Sequence, residues 1–171
     1  MFNNNSNDLG RVSRRILKSG QEYADGDLES CALQMWPALD NTSRRRYKGA
    51  VGKRIKRFLH HSAPMVSWMA TGNIIDIRTN GANLFELFYT ECRNCIVHEG
   101  GDIPIIKWDT SGTVLMGIQG SFGEIGHIIP EDYLLALVVS VVIAPENANW
   151  TGGEGHCFKT RFGNFSVSDL W

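Results

Sequence analysis

The chain lacks a long hydrophobic run. Its longest, Leu134 to Ala144 (LLALVVSVVIA), has eleven residues, where a membrane-spanning helix needs about 20. That length fits a buried core helix instead. An apolar leader is missing too: MFNNNSNDLG is polar, so no secretory signal is expected. Cysteine is scarce. The four are Cys31, Cys92, Cys95 and Cys157, and without an export signal they are expected as reduced thiols of a cytoplasmic protein, not as a disulfide framework. No Walker or dinucleotide-binding glycine pattern and no internal repeat is present, which removes the common nucleotide-binding motifs and the solenoid folds. Net charge is also nearly absent, at −1.

That last absence is a cancellation. Residues 1–60 hold 12 Lys/Arg against 6 Asp/Glu, and residues 61–171 hold 5 against 12. Such a split can mark a polyanion partner. A length of 171 residues with 43% hydrophobic and 20% charged side chains supports one domain with a real core. Residues 1–7 are read as a frayed end and 150–171 as a C-terminal extension.

Periodicity predicts mainly helix. Asp8 is placed to cap a first helix carrying Leu9, Val12, Ile16 and Tyr23, stopped near Gly26. Asp27 then caps a second, whose apolar face holds Leu28, Cys31, Ala32, Met35, Trp36 and Leu39. Pro37 inside it is expected to kink or divide it. Gly49 and Gly52 allow a break before a third helix from about Val51 to His60, and Pro64 is expected to open a separate short segment. A fourth helix begins near Ala82, with Leu84, Leu87, Phe88, Cys92 and Cys95 as its buried stripe, and stops at Gly100-Gly101. Residues 103–108 and 113–118 read as two strands joined by Asp109–Gly112, with a third strand over 125–129. Pro130 is placed in the first turn of the last long helix, and FKTRFGNFSV reads as a small hairpin. The fold expected is a bundle of four to five helices with a small β-hairpin insertion before the last long helix.

Two features carry chemistry. The first is Arg93-Asn94-Cys-Ile-Val-His98 at the end of the fourth helix. An imidazole exchanges a proton near neutral pH, and a guanidinium stays charged and offers a planar fork to phosphate oxygens. These are the groups that a metal-free phosphodiester transesterification needs. On a regular helix five residues turn by about 140°, so Arg93 and His98 need a helix end or a second copy of the chain to converge. The ordinary alternative is an Arg93 salt bridge and a His98 helix cap. Cys92-x-x-Cys95 falls on the apolar stripe and is read as packing, with no metal site assigned. The second feature is Arg44, Arg45, Arg46, Lys48, Lys53, Arg54, Lys56 and Arg57, a cationic run without an acid. It suits a phosphate-tracking surface or a solvated face.

The RNCIVHEG segment resembles the Arg-polar-x3-His motif of the HEPN superfamily. Residues 27–59 also resemble the second and third helices of bacterial HEPN-type proteins, and the likeness spans about residues 8–147. It implies a helical bundle that pairs through the motif-bearing helix. In the active branches it implies a metal-independent endoribonuclease of toxin or defence type. Arg93 would then stabilise the transition state, Asn94 would be the adjoining polar residue, and His98 would move the proton in a composite site of a homodimer. RNA held by the 44–57 run and a nucleotidyltransferase-like antitoxin are the partners implied, with no membrane and no cofactor. A catalytically silent HEPN-like module that binds a partner protein is the other reading the resemblance leaves open.

Overall fold

The computed structural model describes residues 6–75, 78–79, 82–93, 106–112, 117–121, 124–148, 157–160 and 163–166. Three long helices come first: α1 (Ser6–Ala24), α2 (Leu28–Arg46) and α3 (Val51–Thr71). A two-stranded ribbon of β1 (Arg78–Thr79) and β2 (Ala82–Asn83) leads into the short α4 (Leu84–Leu87) and a π-helical turn over Phe88–Arg93. Then come β3 (Ile106–Asp109), β4 (Gly117–Ser121), β5 (Glu124–Pro130), α5 (Asp132–Val142) and a 3-10 turn at Pro145–Asn147. The hairpin expected near the end is β6 (Cys157–Thr160) paired with β7 (Gly163–Ser166). The fold is mainly α.

Around α5 the core is densest. All eleven of its residues are buried, as befits a helix that is apolar on every side. It packs against α1, α2 and α3. From α2 come all six residues of the expected face, Leu28, Cys31, Ala32, Met35, Trp36 and Leu39; from α3 come Ile55, Phe58, Leu59, Val66, Met69 and Ala70. The Asp27 cap forms as expected, its carboxylate accepting from the Ser30 N–H at 2.9 Å. That bond holds the exposed Asp27 carboxyl below the usual carboxylate range. By contrast, α1 starts earlier than expected: Ser6 and Asn7 are already helical, so Asp8 lies in the first turn and the end read as frayed is partly ordered.

Neither proline divides its helix. α2 runs on through Pro37 and α3 through Pro64. A proline frees the carbonyl four residues earlier. Those residues, Leu33 and His60, are exposed, where a freed carbonyl costs least, and packing holds both helices together. What stops α3 is Gly72, which takes a left-handed φ of 73° and donates its N–H to the Trp68 carbonyl at 2.8 Å.

The strand pairing also differs from expectation. β3 and β4 do not form a hairpin. β5 lies between them, parallel to β3 and antiparallel to β4. β5 takes the centre because it buries His127 and Ile129 in the interior. Pro130 is the last residue of this strand, opposite Asp109, and α5 begins after it.

Candidate functional site

α4 opens on a reciprocal cap. Asn83 Oδ1 accepts from the Glu86 N–H at 2.8 Å, and Glu86 Oε2 accepts from the Asn83 N–H at 3.3 Å. This sets the start two residues after Ala82, and residues 82–83 pair as strand instead. Four residues later the helix widens into the π turn. Thr90 marks the change: its hydroxyl donates to the carbonyls of Glu86 (2.9 Å) and Leu87 (3.2 Å), which competes with the regular ladder. Arg93 therefore ends a π turn, where the angular spacing of a regular α-helix does not apply. The Cys92 and Arg93 side chains, Asn94, Cys95, His98 and the expected stop at Gly100-Gly101 lie outside the described residues.

Two aromatic anchors fix this turn. Phe88 is buried, stacks on Trp108 of β3 (6.1 Å between centroids, 16° between planes) and tilts against Tyr133 of α5 at 6.2 Å. Tyr89 points the other way, onto α3. A Cβ on Gly52 would meet the Tyr89 Oη at 2.5 Å. Gly52 is thus no helix break. It sits inside α3 and leaves room for the phenol to lie against the helix backbone.

Between α3 and α4 the two elements enclose a cleft of about 790 Å³. Its α3 wall carries Lys53, Lys56, Arg57, His60 and His61, and its opposite wall carries Asn83, Phe85, Glu86 and Tyr89, with Tyr47 at one end. Spacings of three and four residues put the α3 cations on one face, opposite the face that buries Ile55, Phe58 and Leu59. The charged tips lie over rings of the cleft: Arg57 Cζ is 4.7 Å from the Tyr47 centroid and Lys56 Nζ 5.6 Å from that of Tyr89. Glu86 is the one acid among the described lining residues, and its carboxylate is held by the α4 cap. Among the described residues none of Lys53, Lys56 and Arg57 forms a salt bridge.

The rest of the cationic run has other work. Arg45 donates to the Glu146 carbonyl at 3.0 Å and to Asn147 Oδ1, fastening α2 to the 3-10 turn. Asn147 is itself buried and donates to Thr42 Oγ1 (3.1 Å) and the Val141 carbonyl (2.6 Å). Arg46 lies 3.7 Å from Glu146, contacts His61 Nε2 at 2.9 Å and sits over Tyr47. Asp40 pairs with Arg54 at 3.2 Å. Arg44 and Lys48 are exposed and lie outside the cleft lining. Of the eight cations in the expected surface, the fold brings Lys53, Lys56 and Arg57 together. Tyr89, His60, His61 and Gly52 join them without having been singled out as site residues by the sequence. The only signal for Gly52 was a glycine inside a helical pattern, which marks either a weak helix or a close approach.

The fold and the cleft define a mainly helical protein with a cationic, tyrosine-edged pocket beside a π turn. A family model described as Rv1289 matches residues 11–171, and the chain belongs to the Rv1289 family. No curated protein and no solved structure matches it. Among the described residues no helix is long and apolar enough to cross a membrane.

Proposed function

We propose that the protein is a cytoplasmic, HEPN-like RNA-binding protein. In this reading the α3–α4 cleft holds single-stranded RNA, and the Arg93-Asn94-x3-His98 segment cleaves it without metal in a homodimer. The observation that carries the reading is the set of Lys53, Lys56 and Arg57 in one concave site where, among the described residues, they form no salt bridges and the one lining acid is tied up in a cap. A polyanion is the ligand that relieves such crowding of like charge. The π turn gives Tyr89 to one wall and ends at Arg93, the first residue of the motif, which supports assigning cleft and motif to one RNA.

The reaction is an attack of the ribose 2′-oxygen on the adjacent phosphorus. His98 takes the 2′-hydroxyl proton, the P–O5′ bond breaks, and the partner copy's imidazolium returns a proton to the leaving 5′-oxygen. The Arg93 guanidinium neutralises charge on the equatorial oxygens. The products are a 2′,3′-cyclic phosphate and a 5′-hydroxyl end. A nucleotidyltransferase-like antitoxin is the class of partner proposed to restrain such an activity.

The test is cleavage of a labelled single-stranded RNA in EDTA by wild type, Arg93→Ala and His98→Ala. Cleavage is expected in the wild type alone, with RNA binding kept in both variants. Unchanged cleavage in both removes the assigned site. Absence of both binding and cleavage leaves the protein-partner module as the better reading.

A further inference from the structure

We infer that the cleft is a receptor for a terminal phosphate: its ligand is a phosphomonoester, borne on the end of an RNA strand or on a free nucleotide. The strand source rests on the RNA-binding reading above, and the free source does not.

Three observations point this way. The first is shape. A surface that tracks a polynucleotide backbone is a groove with a site several nucleotides long. Here Lys53, Lys56 and Arg57 line one concave volume of about 790 Å³, within the range of small-ligand pockets. The second is charge. A phosphodiester carries one negative charge and a phosphomonoester about 1.5 to 2 at pH 7. Three cations facing one acid already held in a cap match the higher value. The third is preorganisation. Tyr47 and Tyr89 hold the tips of Arg57 and Lys56 at 4.7 and 5.6 Å from their centroids, so the charges are placed before the ligand arrives. Arg46 lies over the same Tyr47 ring at 5.6 Å. That ring therefore gathers guanidinium groups and is a poor platform for stacking a base. Recognition by charge follows.

The experiment compares one RNA hexamer in three forms, with a 5′-phosphate, a 3′-phosphate or hydroxyl ends. Its sugars are 2′-O-methylated to prevent cleavage. Binding to the full chain is read by fluorescence anisotropy, with uridine 5′-monophosphate and inorganic phosphate as competitors. At least one phosphorylated end should tighten binding by about tenfold or more over the hydroxyl form, and the monophosphate should displace it. Lys56→Ala/Arg57→Ala should erase that difference while its thermal melt stays at the wild-type position. Equal affinity for all three forms overturns the inference and leaves RNA binding standing. Monophosphate binding that the double variant loses, with no strand bound, supports the inference through the free ligand and removes the RNA reading. Absence of binding to every probe overturns both.

Discussion

Arg45 and Arg46 at the end of α2 and Lys56 and Arg57 on α3 belong to one cationic stretch, separated by a short connection. Arg45 donates into a buried asparagine and a backbone carbonyl, and Arg46 faces Glu146. Lys56 and Arg57 face a cavity and rest on tyrosine rings. Charge at the end of α2 is spent on holding α2 to the segment after α5. Charge on α3 is held at the mouth of a cleft, where a ligand would find it. A basic run in sequence is therefore two devices in space.

The largest effect should come from breaking the α2 side. Arg45→Ala leaves Asn147 Oδ1 buried without its charged donor. The expected cost is about 2–3 kcal/mol, read as a lower urea midpoint with an unchanged m-value. RNA affinity at low temperature should stay at the wild-type value. A variant that keeps its stability and loses RNA binding would break the comparison.

Gly52→Ala comes next, because it acts on the cleft through packing. The new methyl collides with the Tyr89 phenol, so the phenol must move off α3, at a cost of up to about 1–3 kcal/mol. Tyr89→Ala in the same chain should recover part of that loss, and the double-mutant cycle should show a coupling of about 1 kcal/mol. Additive losses would mean that the π turn does not lean on α3.

On the α3 side, Lys56→Ala and Arg57→Ala should each change stability by no more than about 0.5 kcal/mol. Each should lower the salt dependence of RNA binding by about 0.7 in the log–log slope. A stability loss without a change of slope would place them with Arg45.

The last test, confined to alkaline pH, probes the core face of α2. Burial pushes the Cys31 thiol up from 9.0 to about 11, partly offset by the Ser19 hydroxyl bonded to it at 3.2 Å. The folded state thus keeps a proton that the unfolded chain releases. The associated stability is complete below pH 9 and is lost as pH rises through about 11. Melting curves of wild type and Cys31→Ala should converge across that window. Below it the native thiol should resist alkylation. Parallel curves would show that the thiol is not insulated.

Much of the fold was legible. The Asp27 cap, the apolar face of α2, the helix over most of the Leu134–Ala144 run and the closing hairpin are local patterns, and each formed close to its expected place. Neither proline divided its helix, because the cost of a proline depends on what the freed carbonyl meets. Leu33 and His60, four residues before each proline, are exposed. The β3–β4 hairpin was misread because its turn signal says nothing of β5, which inserts between the strands to bury Ile129. Half of the cleft was legible: the α3 cations stood out by composition, while Tyr89, His60 and His61 had no signal of their own.

By itself the sequence determined a mainly helical chain with a cationic N-terminal third, because capping and apolar periodicity act over a few neighbouring residues. Only the tertiary structure decided which cations remain open to a ligand. The partners that engage Arg45 lie 101 and 102 residues away, and Gly52 is shaped by a phenol from another helix. Contacts at that separation are set by packing, so a count of charges along the chain does not contain them.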